Sequence, residues 1–156
     1  MPRLDRLPEG NRKSLLALPV RANDTTPFVP LRRPLADCRL AIVTTAGLHR
    51  RGDRPFGPAD QTYRRIAADT PTVDIVQSHT SLGFDRVAIM RDVNISFPID
   101  RLGELVARGV LGALAPHSYS FMGAQRDLAR IEGETGPEVG RRLREEGVDA
   151  ALVTPT

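Results

Sequence analysis

Three histidines carry the most chemistry in this sequence, and each stands just past an apolar run. His49 ends the stretch Thr45-Ala46-Gly47-Leu48-His49, His79 follows Ser78, and His117 lies between Pro116 and Ser118. Imidazoles so placed can bind a carboxylate-bearing substrate and move protons near neutral pH, which is the preferred reading. Two others stay open. A His₃ metal site would take a carboxylate such as Asp92 or Asp85, yet no H-x-H or H-x-x-x-H pair is present, so only the fold could assemble it. Alternatively, each ring simply hydrogen-bonds loop backbone.

The remaining polar candidates read both ways. Asp92-Val93-Asn94 has the form of an Asx turn leading into a helix, and Asp100 and Arg101 suit that helix's first turn. Tyr63-Arg64-Arg65 offers a guanidinium fork for a carboxylate, or a solvated surface. No G-x-G-x-x-G, P-loop, G-x-S-x-G or C-x-x-C signature occurs, so dinucleotide, nucleotide and serine-hydrolase readings lack their motifs. The single cysteine, Cys38, excludes an internal disulfide framework and reads as a half-buried core thiol beside a strand.

The elements that must position these residues follow from periodicity. "RLAIVTT" (39–45), "TVDIVQS" (72–78), "RVAIM" (86–90), "VLGALAP" (110–116) and "VDAALVT" (148–154) read as strands. Residues 98–109 read as a helix, with Ile99, Leu102 and Val106 on one stripe, Pro98 in the first turn and Gly109 as the stop. A helical pair is expected over about 123–132 and 136–146, the second opened by Thr135 and Glu138 at capping-box spacing. Alternation of this kind predicts an α/β fold, a mostly parallel sheet with flanking helices. Ligands of such sheets gather beyond the carboxyl ends of the strands, and all three histidines are expected on that edge.

Residues 1–36 hold six prolines and seven Lys/Arg against three Asp/Glu. They read as an extended, basic, proline-rich N-terminal arm in which only "RKSLLAL" could turn helically, followed by one domain over 37–156. The domain itself is nearly neutral, with fifteen basic and sixteen acidic residues, and the chain has no Trp, so a nucleic-acid platform is not expected. No apolar run approaches the roughly 20 residues that cross a bilayer, and no signal peptide is visible, which predicts a cytoplasmic protein.

Taken together in order, "TTAGLH" (44–49), "RPFG" (54–57), "DQTYRRI" (60–66), "SHTSLGFD" (78–85), "DVNISFPIDRL" (92–102) and "HSYSFMG" (117–123) resemble the glycine/sarcosine/betaine/D-proline reductase selenoprotein B family. The resemblance covers the chain from about Leu40 onward, and "DVNISFPIDRL" is its most specific element. It implies an oxidoreductase subunit that reductively cleaves a C–N bond of a small amine substrate: glycine, sarcosine, betaine or D-proline. It further implies a selenocysteine nucleophile, a pyruvoyl group on a partner subunit that binds the substrate amine, and a dithiol or thioredoxin-type electron donor. No cofactor or metal is expected in this chain itself, and an oligomer is.

By the same resemblance, His49, His79 and His117 would bind substrate or transfer protons, while Asp92, Asn94, Asp100 and Tyr63 would shape the cleft. The family places its selenocysteine directly after the strand and turn that "VDAALVTPT" resembles. The nucleophile is therefore expected just after Thr156, with an in-frame UGA codon there and a 156-residue chain that is inactive alone. The alternatives are a non-catalytic scaffold of such a complex and a histidine-based metalloenzyme.

Overall fold

The computed structural model describes residues 3–17, 24–26, 29–80 and 86–155, and the chain divides into two compact units, Met1–Pro30 and Leu31–Thr156. In the first, a 3-10 turn at Leu4–Arg6 precedes helix α1 (Glu9–Leu16), which begins three residues before the expected helical stretch. The rest of the expected arm within 18–23 and 27–28 lies outside the described residues.

The second unit is built on strand β1 (Arg39–Thr44). Strand β7 (Ala150–Thr154) runs parallel along its whole length, from Leu40↔Ala150 to Thr44↔Thr154. On the other side of β1 lie β5 (Ala113–Leu114) and β6 (His117–Phe121), both parallel, paired at Arg39↔Ala113 and at Val43↔Tyr119. They are two halves of one strand broken at Pro116, which has no N–H to give the ladder. The Pro116 carbonyl accepts from the Ala68 amide at 2.9 Å, and the Ile42 amide donates to Ser118 Oγ at 3.0 Å. Strand β3 (Tyr63–Ala67) closes the far edge antiparallel to β6, from Tyr63↔Phe121 to Ala67↔His117. The sheet is thus mostly parallel, as expected, with one antiparallel edge strand, β3, to which the sequence pattern assigns no element.

Successive residues of β1 face opposite ways, so each helix layer takes one face. Ile42 joins Phe97 with Ile99 and Leu102 of α3 (Ile99–Ala107), while Val43 packs with Tyr119, Phe121 and Val139 of α4 (Gly136–Glu145). A separate two-stranded antiparallel sheet joins β2 (Leu48–Arg50) to β4 (Ile75–Gln77).

Several elements differ from expectation. "RVAIM" is helix α2 (Arg86–Arg91), not a strand: only Ile89 is buried, while Val87 and Met90 point outward. Residues 72–74 form a 3-10 turn before β4, and the strand expected over 110–116 shrinks to β5. The helix expected from 123 starts only at Ala129 and passes through a π turn at Ile131–Thr135. Pro137 explains the π turn, since its ring would strike the carbonyl four residues back in a regular helix. Gly136 permits it, because a Cβ there would meet the Ile131 carbonyl at 2.5 Å. The capping box does not form. Thr135 is buried and donates to the Gln61 carbonyl at 2.9 Å, while Glu138 holds Arg142 at 2.7 Å.

Candidate functional site

The carboxyl ends of the three parallel strands finish level. The Thr45 amide donates to the Thr154 carbonyl at 3.2 Å, and the Gly123 amide donates to the Thr45 carbonyl at 2.8 Å. Over this edge lies the loop 92–98. Its Ser96 carbonyl accepts from the Thr44 hydroxyl at 3.3 Å and from the Thr154 hydroxyl at 2.7 Å. Asp92, Asn94 and Asp100 shape that loop from within. The Asn94 amide group donates to Asp92 Oδ1 at 3.0 Å and Asp100 Oδ2 at 2.9 Å, while its oxygen accepts from the Asp100 amide at 3.0 Å. Hydrogen bonds from the Asn94 side chain and backbone hold the Asp92 carboxyl below its ordinary range.

Beyond Thr45 the chain turns at Gly47, whose φ of +64° favours glycine. Its amide donates to the Phe121 carbonyl and its carbonyl accepts from the Ser78 amide, each at 2.9 Å. This turn brings His79 against the sheet edge. His79 is 1% exposed, and burial, assisted by the Arg86 charge, lowers its pKa, so its neutral form is favoured. Next to it, the Thr80 hydroxyl lies 3.5 Å from Met122 Sδ, just past β6. A buried imidazole next to strand carboxyl ends can hold or pass a proton without carrying a permanent charge.

The other two histidines are elsewhere. His49 is buried on β2, opposite Val76, with Nδ1 2.9 Å from the Arg50 carbonyl. A carbonyl only accepts, so Nδ1 carries the proton there. His117 opens β6 instead of following a strand end, which corrects the expected single histidine edge. Phe121 lies four positions further on, about 13 Å along an extended strand. The strand runs on past Pro116 because Ser118, Tyr119, Ser120 and Phe121 are all buried between β1 and β3. Arg65 Nη2 donates to His117 Nε2 at 2.9 Å, leaving Nδ1 to donate to Glu146 Oε1 at 2.8 Å. Among the described residues no group of three His, Cys, Asp or Glu side chains could hold a metal ion. Asp85 lies outside the described residues.

Tyr63 is a packing residue here, its ring 5.7 Å from that of Tyr119, edge to face. Arg64 is not a free fork either: it pairs with Asp60 at 3.0 Å, donates to the Arg54 and Pro55 carbonyls and stacks over Phe56 at 4.1 Å. The residues that sequence reasoning missed are the buried hydroxyls and amide at the edge: Thr44, Ser96, Ser120 and Gln77. Ser120 Oγ accepts from the Leu48 amide at 2.8 Å, and Gln77 Nε2 donates to the Ala46 carbonyl at 2.9 Å. Ser96 Oγ and Gln77 Oε1 are buried with no hydrogen-bond partner among the described residues, an arrangement common where a water or ligand completes a site. Serines alternating inside the apolar stretch "HSYSF" were the available signal.

Comparison with known proteins places the sequence in a family. D-proline reductase subunit gamma from Acetoanaerobium sticklandii is 41% identical over 128 residues, 81% of this chain and 52% of its own. Sarcosine reductase complex component B subunit beta from Peptoclostridium acidaminophilum is 28% identical over 142 residues, covering 88% of this chain and 32% of that one. Glycine reductase complex component B subunit gamma from Carboxydothermus hydrogenoformans is 27% identical over 145 residues, 89% of this chain and 33% of that one. The chain therefore spans about half the length of the first and a third of the others. No solved structure matches it. Residues 12–156 match the description Glycine/sarcosine/betaine reductase selenoprotein B, and the chain belongs to that family.

Proposed function

We propose that this protein is a subunit of a cytoplasmic, selenocysteine-type reductase complex that cleaves a C–N bond of an amino or imino acid, with D-proline as the substrate class. The observation that carries this reading is the 41% identity, over 81% of the chain, to a protein named D-proline reductase subunit gamma. What supports it is that β7 delivers Thr154 to the same edge as Thr45 and Gly123, an edge at which a redox nucleophile would meet the loop 92–98. A selenolate there would supply a nucleophile already ionised near neutral pH.

This chain's own residues then have distinct duties. Thr44 and Thr154, through the Ser96 carbonyl, fix the ends of β1 and β7 relative to the loop above them. His79, buried at that edge, holds or passes a proton. His49 and His117, tied to the Arg50 carbonyl and to Glu146, act through the framework. A partner subunit with a pyruvoyl group would hold the substrate amine, and a dithiol donor would return the electrons.

The test is purification from the native host through a tag on this chain. The complex is then offered D-proline, glycine, sarcosine or betaine with dithiothreitol. Dithiol oxidation with a ring-opened product, dependent on D-proline, is the expected result. A complex that contains the tagged chain but oxidises no dithiol with any of the four overturns the reading.

A further inference from the structure

Helix α2 rests on the small sheet through Ile89 and leaves Val87 51% and Met90 80% exposed. Val73, on the turn before β4, is 75% exposed. All three border one groove of about 970 Å³, floored by Leu48, Ile75 and Ile89. Apolar side chains gathered on one groove, unlike singly scattered ones, mark a binding surface. Met90 suits such a surface because an unbranched thioether adapts its shape to what it meets.

The charges around the groove choose the occupant. Arg51 is met by Asp74 at 3.8 Å and Arg101 by Glu104 at 2.6 Å. At the inner end, Asp92 and Asp100 are both turned on Asn94. Arg86 and Arg91 differ. They bracket Val87 and Met90 at the two ends of α2; among the described residues neither makes an ion pair, and Arg86 donates to the His79 carbonyl at 3.1 Å. The outward stripe of α2 therefore reads cation, apolar, apolar, cation.

We propose that this groove docks an acidic amphipathic segment of another protein. Its apolar side chains would lie on Val73, Val87 and Met90, and its carboxylates would meet Arg86 and Arg91, the helix-in-groove mode. A second copy of this chain is the wrong occupant, since an isologous contact here brings both Arg86/Arg91 pairs together. The inference does not depend on the reductase reading.

The test uses the full chain and two labelled synthetic helices, with leucine on one face and either glutamate or lysine on the other, followed by fluorescence anisotropy. The glutamate peptide is expected to bind at least about tenfold more tightly than the lysine peptide, and to weaken as salt rises from about 50 to about 500 mM. Met90→Asp and Val73→Asp should each weaken it about tenfold, while Val153→Asp, exposed on β7, should leave it unchanged. The double change Arg86→Glu, Arg91→Glu should reverse the preference between peptides. Circular dichroism melts confirm that each variant is folded. The proposal is overturned by failure of the glutamate peptide to bind, by equal binding of both peptides, or by an equal loss in Val153→Asp. It is also overturned by tighter binding to phosphatidylglycerol vesicles than to the peptide, or by self-association that Met90→Asp abolishes.

Discussion

Gly47 and the backbone of His79 are packed so closely that a Cβ on Gly47 would stand 3.0 Å from the His79 Cα. The same glycine has φ +64°, so alanine there meets two obstacles at once: a left-handed backbone and a wall that cannot swing away.

Gly47→Ala should accordingly cost about 2–4 kcal/mol of unfolding free energy, the sum of a left-handed penalty and overpacking. Gly52 has φ +91° with open space where its Cβ would lie, so Gly52→Ala should cost only about 1 kcal/mol. Urea unfolding of the two variants measures the difference. Equal losses would show that the His79 contact contributes nothing.

His79 itself should make stability depend on pH. Burial, with a smaller push from Arg86, lowers its folded pKa below the ordinary 6.5. The unfolded chain then takes up a proton first as pH falls, and stability drops once pH passes below 6.5. His79→Asn removes that proton uptake. The free-energy difference between wild type and variant should shift against the wild type between about pH 7.5 and about pH 5.5. A constant difference across that range would mean that His79 titrates as it does in the unfolded chain.

How far these features were legible in the sequence depended on whether local pattern or a distant partner decided them. β1, β7, α3 and the body of α4 announced themselves, because their apolar spacing matches the face that they bury. β3 did not. Tyr63-Arg64-Arg65 looks like surface, and only pairing with Tyr119 and Phe121, over fifty residues away, makes it a strand. "RVAIM" was ambiguous for a different reason: five apolar-rich residues fit a strand or a helix, and tertiary packing of Ile89 alone chose the helix. His117 reads as a residue past a strand end because Pro116 looks like a stop, whereas the chain continues as β6 with the Ile42 amide donating to the Ser118 hydroxyl. The edge itself is legible, since Thr44 and Thr154 end parallel strands side by side.

Tyr119, which follows closely on His117, should resist ionisation. Its ring is fully buried, and burial together with the Glu146 charge pushes its pKa up to about 12; the phenol donates to Glu146 Oε1 at 3.4 Å. Tyr63, the other tyrosine, is raised as well, mainly by burial. Native protein should show less tyrosinate absorbance than the unfolded chain at about pH 10, where an exposed phenol is half ionised. Because the unfolded chain ionises first, stability should fall from about pH 10 toward 12. Glu146→Gln removes the charge that opposes ionisation, so the tyrosinate signal should appear at lower pH. An unchanged titration in that variant would assign the shift to burial alone.

Asp60 and Arg64 give the last prediction. Their side chains are 14% and 12% exposed and 3.0 Å apart, so this pair is shielded in a way that the exposed Arg141–Glu145 pair on α4 is not. Burial works to raise the Asp60 carboxyl, but hydrogen bonds from the Thr62 hydroxyl and amide and from Arg64 outweigh it, and the net pKa is lowered. A carboxyl with a depressed folded pKa stabilises the fold above its unfolded value of 3.8, and that contribution disappears as pH falls through the folded pKa. Asp60→Asn leaves Arg64 shielded without its counter-charge, held by backbone carbonyls, the Thr62 hydroxyl and the Phe56 ring. The variant should be about 2 kcal/mol less stable at neutral pH. That gap should narrow steadily below about pH 4, as wild-type Asp60 is protonated too. Denaturant unfolding of both proteins at neutral and acid pH checks this, and a gap that stays constant into acid would place the loss in shape rather than charge.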